Sequence, residues 1–145
     1  MGAAIRFTER TAEEDRRRKL DYRMQEVVLM QPAKMSVSVE SKGTCRLVRI
    51  DGDIDSISSP ELELTFSSLR ENDEVTYIVD LKSVGYISSM GLRVFLSHLK
   101  KTRPNGSRVV LVGANELVLD VFRMSGFTSF FEFRADIDSA LAELA

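Results

Sequence analysis

The sequence predicts an α/β fold in which a mixed sheet of four to five strands carries packed helices, preceded by an N-terminal helical extension. The first observation is a hairpin pattern in residues 35–50, where apolar residues alternate with polar ones before a turn at Lys42 and Gly43. The second is that apolar runs at residues 75–81 and 108–112 are separated by segments with helical spacing. An opening hairpin followed by alternating strands and helices indicates a mixed sheet with helices packed on it.

Residues 1–33 differ from the rest of the chain. A capping-box pattern at Thr11 and Glu14 opens a segment of helical spacing that Pro32 ends. The spacing predicts a helix over residues 12–30 whose apolar stripe is formed by Leu20, Met24, Val27 and Val28. We expect residues 1–33 to form a helical extension and residues 34–145 to form the domain. Because an isolated helix of this length is marginal in water, the stripe favours a homodimer through this helix; docking on its own domain and ordering on a partner are the alternatives.

The remaining elements follow local start and stop signals. Pro60 suits the first turn of a helix, Asn115 suits a helix N-cap, and Gly126 suits the end of that helix. The patterns predict helices that begin near Pro60, Ser89, Asn115 and Asp136, strands at 75–81 and 108–112, and an edge strand at 130–133.

Composition restricts the function classes. The 145 residues, 43% hydrophobic and 29% charged, suit one compact domain with an appendage. The net charge of -2 gives no electrostatic reason to expect nucleic acid as a partner. No apolar run approaches the roughly 20 residues that cross a bilayer, so we expect a cytoplasmic protein without membrane insertion. A single cysteine, Cys45, excludes an internal disulfide and a cysteine-based metal cage.

Two serines, Ser88 and Ser89, stand where the strand at 75–81 passes through a short turn into a helix. The first amides of a helix lack intrahelical acceptors and the helix dipole is positive there, so a phosphoryl group on such a serine is accommodated locally. Its charge of about -1.5 to -2 would nevertheless disturb a partner packed on the turn. The simpler interpretation, in which both serines only cap the helix, stays open on these residues alone.

The same residues argue against catalysis, cofactors and metals. No neighbouring base of the Ser-His-Asp type accompanies the serines, and His98, the only histidine, is predicted to be solvated on the polar side of its helix. Gly85 and Gly91 form neither a Gly-Lys-Ser/Thr ending nor a G-x-G-x-x-G pattern. Gly91 instead suits a close approach of the helix to the sheet. We therefore expect no catalytic residue, no metal site and no cofactor.

Several separated motifs occur in a consistent order. They are Gly52-Asp-Ile-Asp55 with Ser59-Pro60-Glu61-Leu62, then Asp80-Leu81, Tyr86-Ile87, Ser89 and Gly91-Leu92, and last Ser125-Gly126-Phe127. This set resembles the STAS domains of bacterial anti-sigma factor antagonists. The resemblance implies a STAS-like fold and phosphorylation at Ser89 by a GHKL-type serine-protein kinase that is also the anti-sigma factor. It also implies a PP2C-type phosphatase that reverses the modification, and a dephosphorylated form that captures the anti-sigma factor and frees the sigma factor.

The resemblance also implies a partner-binding surface around Ser89. We assign to it Asp55, Ser56, Ser88, Met90, Gly91 and Arg93. Asp55 has an alternative role in capping the helix near Pro60. Two positions depart from the family pattern, because Ser88 replaces the usual Asp and Met90 replaces a small residue. The alternative function is a non-switching STAS scaffold or an accessory subunit of a transport complex.

Overall fold

The computed structural model of the protein describes residues 35–144. The predicted extension over residues 1–33, with its helix at 12–30, lies outside the described residues and stays a prediction. In chain order the described elements are β1 (Met35–Lys42), β2 (Cys45–Gly52), α1 (Ser59–Leu69), β3 (Thr76–Ser83), α2 (Ser89–Thr102), β4 (Arg108–Val112), α3 (Glu116–Ser125), β5 (Glu132–Arg134) and α4 (Ile137–Leu144).

The five strands form one mixed sheet in the order β1-β2-β3-β4-β5, which confirms the predicted fold class. β1 runs antiparallel to β2 through a hairpin that pairs Lys42 with Cys45, and β2 to β5 are parallel neighbours. Gly43 has a φ of 60° in that turn, a conformation that glycine adopts without a steric penalty. From β2 to β5, each strand lies next to the one before it, always on the same side. Because crossover connections between parallel strands are right-handed, the connecting helices α1, α2 and α3 lie on one face of the sheet.

The central strands are buried on both faces. In β3, Tyr77 and Val79 join the cluster beneath α1 to α3, whereas Ile78 joins the cluster beneath α4. β4 alternates in the same way, with Leu111 in the first cluster and Val110 in the second. Burial on both faces explains why these strands are continuous apolar runs in the sequence. It also fixes the carboxyl ends of β2, β3 and β4 as a rigid edge on which loops can be arranged.

The prediction that His98 is solvated is wrong. Its side chain is 1% exposed, its ring stacks on Phe66 with centroids 4.3 Å apart, and it meets Tyr77 edge-on at 4.4 Å. The reason is helical spacing, since His98 follows Phe95 by three residues and shares its buried face. Burial, together with the nearby charge of Arg70, lowers the pKa of His98 to about 3. The imidazole is therefore a neutral core ring.

Candidate functional site

The candidate site is the serine turn, residues 84–89, which joins β3 to α2. Its neighbour is the loop that follows β2, because Ile54 and Ile87 form a parallel bridge. The amide of Ile54 donates to the carbonyl of Tyr86 at 2.9 Å, and the amide of Ser88 donates to the carbonyl of Ile54 at 2.8 Å. The structure thus brings the loop that carries Asp55 and Ser56 against the turn that carries the two serines.

The two serines have different environments. Ser88 is the N-cap of α2, is half-buried, and accepts a hydrogen bond at Oγ from the amide of Gly91 at 3.1 Å. Ser89 is the first residue of α2 and is exposed. The capping interpretation therefore holds for Ser88, whose hydroxyl is engaged by the helix. Ser89 is the more exposed of the two serines.

The electrostatics of this helix start favour an anion. The first turn of α2 holds no acidic residue, and the dipole of the helix places partial positive charge there. Arg93 lies four residues after Ser89, hence on the same side of the helix, and is exposed. Negative charge on the Ser89 side chain would be compensated by both features.

Asp55 organises the loop beside the serine turn. Its Oδ1 accepts hydrogen bonds from the amides of Ile57 and Ser58, each at 2.9 Å, and its own amide donates to Oγ of Ser58 at 2.9 Å. The carboxylate therefore orders the turn that leads into α1 and that ends at Ser58, the N-cap of the helix. Ser56, in the same turn, is exposed.

Gly91 allows α2 to approach this loop. A Cβ at this position would lie 2.6 Å from Cγ2 of Ile54, 2.9 Å from the carbonyl oxygen of Ile54, and 2.9 Å from Cγ1 of Ile87. The close approach predicted from the sequence is confirmed. Gly91 is buried, so its part in the site is to bring the helix start against Ile54.

The substitution Gly91→Ala is expected to lower the free energy of unfolding by about 1–3 kcal/mol, the usual cost of overpacking. Helix propensity alone predicts the opposite sign, a gain of about 1 kcal/mol for alanine over glycine. Urea denaturation of the two proteins measures the difference. Gly85→Ala is the control, since a Cβ there would meet only Oδ1 of Asp53 at 3.2 Å. A Gly91→Ala protein more stable than the parent would contradict this packing argument.

Apolar side chains surround the serine turn. Met90 is 43% exposed, Tyr86 is 44% exposed, and Ile57 in the neighbouring loop is 68% exposed. Met90 was assigned to the partner surface from the sequence, whereas Tyr86 and Ile57 were not. The available signal for Ile57 is a second apolar residue, after the buried Ile54, in a loop that otherwise consists of aspartates and serines. Exposed apolar residues beside polar ones are typical of protein interaction surfaces.

Three further features concern metal binding, catalysis and membrane spanning in the part of the chain that the structure describes. Residues 35–144 contain no group of three or more histidine, cysteine, aspartate or glutamate side chains that could hold a metal ion. His98 lies nine residues after Ser89 on the same helix, about 13 Å along its axis, and is enclosed by aromatic rings. It is therefore not placed to act as a base for Ser89. None of the described helices is long and apolar enough to cross a membrane.

Known proteins share both the sequence pattern and the fold. A curated relative, an anti-sigma-B factor antagonist of Listeria monocytogenes, is 24% identical over 101 residues, which cover 69% of this chain and 89% of the relative. A crystal structure of an anti-sigma factor antagonist from Mycobacterium paratuberculosis superposes with a TM-score of 0.69 at 20% identity, covering 78% of this chain and 96% of that one.

A second solved structure is the Bacillus cell fate determinant SpoIIAA in its phosphorylated form. It has a TM-score of 0.62 at 17% identity and covers 76% of this chain and 100% of that one. The family model described as the STAS domain matches residues 36–140, from the second residue of β1 to the middle of α4. The chain belongs to the STAS domain family.

Proposed function

We propose that this protein is a cytoplasmic anti-sigma factor antagonist in a partner-switching pathway. In its dephosphorylated form it binds an anti-sigma factor that is also a GHKL-type serine-protein kinase, and phosphorylation of Ser89 releases that partner. A PP2C-type phosphatase restores the binding form. The chain itself acts as a binding protein and not as an enzyme, so it needs no cofactor of its own.

The observation that carries this proposal is the difference between the two serines. Ser89 is exposed at the first position of α2, whereas Oγ of Ser88 is hydrogen-bonded to the amide of Gly91. A kinase active site can therefore reach Ser89 without breaking the helix cap. The names of the similar proteins, which are anti-sigma factor antagonists, support the same function.

The proposed partner surface consists of the exposed groups around Ser89. Met90 supplies apolar contact, Arg93 supplies positive charge, and Ser56 lies on the neighbouring loop. Asp55 contributes by ordering the loop, and Ser88 contributes by capping the start of α2. Gly91 contributes by letting the loop and the helix start pack closely together. An interface of this kind, with an apolar centre and a polar rim, is disrupted when a dianion is introduced into it.

The departure at Ser88 is compatible with this function. Serine and aspartate are about equally good N-cap residues, so Ser88 keeps the role that the usual aspartate has at a helix start. What changes is the local charge, because a serine cap adds none beside Ser89. The proposed kinase and phosphatase therefore meet no additional charge beside Ser89.

Phosphorylation of the purified chain tests the proposal. The protein is incubated with ATP and a GHKL-type serine kinase from the same organism, and its intact mass is measured. We expect the addition of one phosphoryl group, its absence in Ser89→Ala, and its removal by a PP2C-type phosphatase. Ser97→Ala, which changes a partly buried serine on the same helix, is the control and should be modified normally. Kinase binding without any phosphoryl transfer would instead support the non-switching scaffold.

Deleting residues 1–33 is expected to convert a dimer into a monomer while leaving the domain folded. The family match begins at residue 36 and the described sheet begins at Met35, so the truncated chain keeps every described strand. The apolar stripe within residues 12–30 is the proposed dimer contact. Light scattering at tens of micromolar measures the mass, and circular dichroism verifies the fold. A full-length chain that is already monomeric would contradict the dimer.

A further inference from the structure

We propose that Asn115 is a positioning residue that ties the serine turn to the start of α3. Oδ1 of Asn115 accepts a hydrogen bond from the amide of Val118 at 2.8 Å, which caps α3. Nδ2 of the same side chain donates to the carbonyl of Val84 at 3.2 Å and lies 3.5 Å from the carbonyl of Gly85. One amide group thus serves a helix cap and the beginning of the serine turn, 31 residues earlier in the chain.

The turn is held from two sides. On the β2 side, Ile54 exchanges two backbone hydrogen bonds with it, one to Tyr86 and one from Ser88. On the β4 side, the Asn115 side chain reaches the carbonyl at its first residue, Val84, whose own side chain is buried. Carbonyl groups at the end of a strand need a donor once the ladder stops. Asn115 supplies that donor, so the path from β3 to Ser89 is fixed between two loops.

Asparagine is required at position 115 because both its acceptor oxygen and its donor nitrogen make hydrogen bonds. An amide side chain carries an acceptor and two donor hydrogens, whereas an ionised aspartate only accepts. Aspartate, serine and asparagine cap helices about equally well, so the cap alone does not require asparagine. The contact with Val84 does require a donor. The two roles can therefore be separated by a single substitution.

Three variants separate positioning from capping. Asn115→Asp keeps the cap acceptor but removes the donor and places a carboxylate near two carbonyl oxygens. Asn115→Ala removes both functions. Asp136→Ala is the matched control, because Asp136 caps α4 through a 2.8 Å hydrogen bond from the amide of Ser139, on the other face of the sheet.

Hydrogen–deuterium exchange of the full-length variants gives the direct readout. For Asn115→Asp we expect the free energy of unfolding to fall by only about 1 kcal/mol, the effect of one lost hydrogen bond, and the Ser88 amide to exchange roughly fivefold faster. Asn115→Ala should show the same fast exchange together with lower stability. Asp136→Ala should lower the free energy of unfolding. The Ser88 amide should then exchange faster only by the amount that this lower global stability accounts for. Parent-like exchange in Asn115→Asp would overturn the proposal and leave Asn115 as a cap only.

Partner affinity provides a second readout, which rests on the proposed function. The probe is the GHKL-type kinase used for the phosphorylation experiment. Asn115→Asp should bind it at least roughly fivefold more weakly, because a carboxylate near the carbonyl oxygens of Val84 and Gly85 displaces the closed turn itself. Faster exchange with unchanged affinity for that kinase would overturn the positioning role. If the parent chain binds no kinase, the proposed function fails. The exchange of the Ser88 amide in Asn115→Asp still decides whether the Asn115–Val84 hydrogen bond holds the turn.

Discussion

Replacing Ser89 with aspartate is expected to weaken binding of the proposed kinase partner at least about tenfold, which corresponds to about 1.4 kcal/mol. The carboxylate stands at an exposed position beside Met90, where the proposed interface has an apolar side chain. Desolvating a charge against a partner without a matching cation is costly. Ser89→Ala removes the phosphate acceptor and should bind constitutively, with an affinity that ATP no longer reduces. Isothermal titration calorimetry with and without ATP measures both effects.

Ser88→Asp is the matched control for this experiment. It introduces the same charge one residue earlier, where the side chain caps the helix and is half-buried. Because aspartate is a good N-cap, this variant should keep the parent fold and bind within about threefold of the parent affinity. Equal loss of affinity in both variants would show that the interface rejects charge in general. Parent-like affinity in Ser89→Asp would contradict the assignment of Ser89 as the switch.

Much of the fold is predictable because local signals coincide with the tertiary structure. The strand predicted at 108–112 is observed as β4 (Arg108–Val112), and the helix predicted to begin near Ser89 is observed as α2 (Ser89–Thr102). Asn115 caps α3, and Gly126 ends it with a φ of 79°. Caps, glycines and buried apolar runs are short-range features, so one sequence suffices to locate them.

The end of the sheet was harder to predict. The edge strand expected at 130–133 is observed as Glu132–Arg134, because Thr128–Phe130 form a short 3-10 turn before it. A run of phenylalanines has high strand propensity wherever the strand begins, so composition alone does not fix its first residue. Only pairing with β4, where Leu111 lies opposite Phe133, sets the register.

The site was only partly predictable for a related reason. Ser88, Ser89 and Gly91 are adjacent in the sequence, and their positions at the helix start follow from local pattern. The contact of Asn115 with Val84 joins residues 31 positions apart, and no periodicity encodes it. The burial of His98 also depends on a ring from another helix, that of Phe66. Contacts of this type require the assembled sheet.

His98 should make the protein sensitive to mild acid. The pKa of His98 is about 3 in the folded protein, whereas an ordinary histidine, as in the unfolded chain, has a pKa of 6.5. Between these two pH values the unfolded chain binds a proton that the folded chain does not. The free energy of unfolding therefore has its full value above pH 6.5 and falls as the pH drops, by up to about 1.4 kcal/mol per pH unit. At pH 5 the expected loss is about 2 kcal/mol.

The variant His98→Phe isolates this contribution. Among the described residues, neither ring nitrogen of His98 has a hydrogen-bond partner, so a phenyl ring between Phe66 and Tyr77 removes a desolvation cost without breaking a bond. We expect similar or greater stability at pH 7.5 and a much smaller loss between pH 7.5 and pH 5, measured by urea denaturation. His98→Leu should show the same flat profile if the phenyl ring introduces strain. His98 is the only histidine in the sequence. If both variants lost stability with falling pH as steeply as the parent, another group would carry the acid sensitivity. His98 would then bind protons equally well in the folded and the unfolded chain.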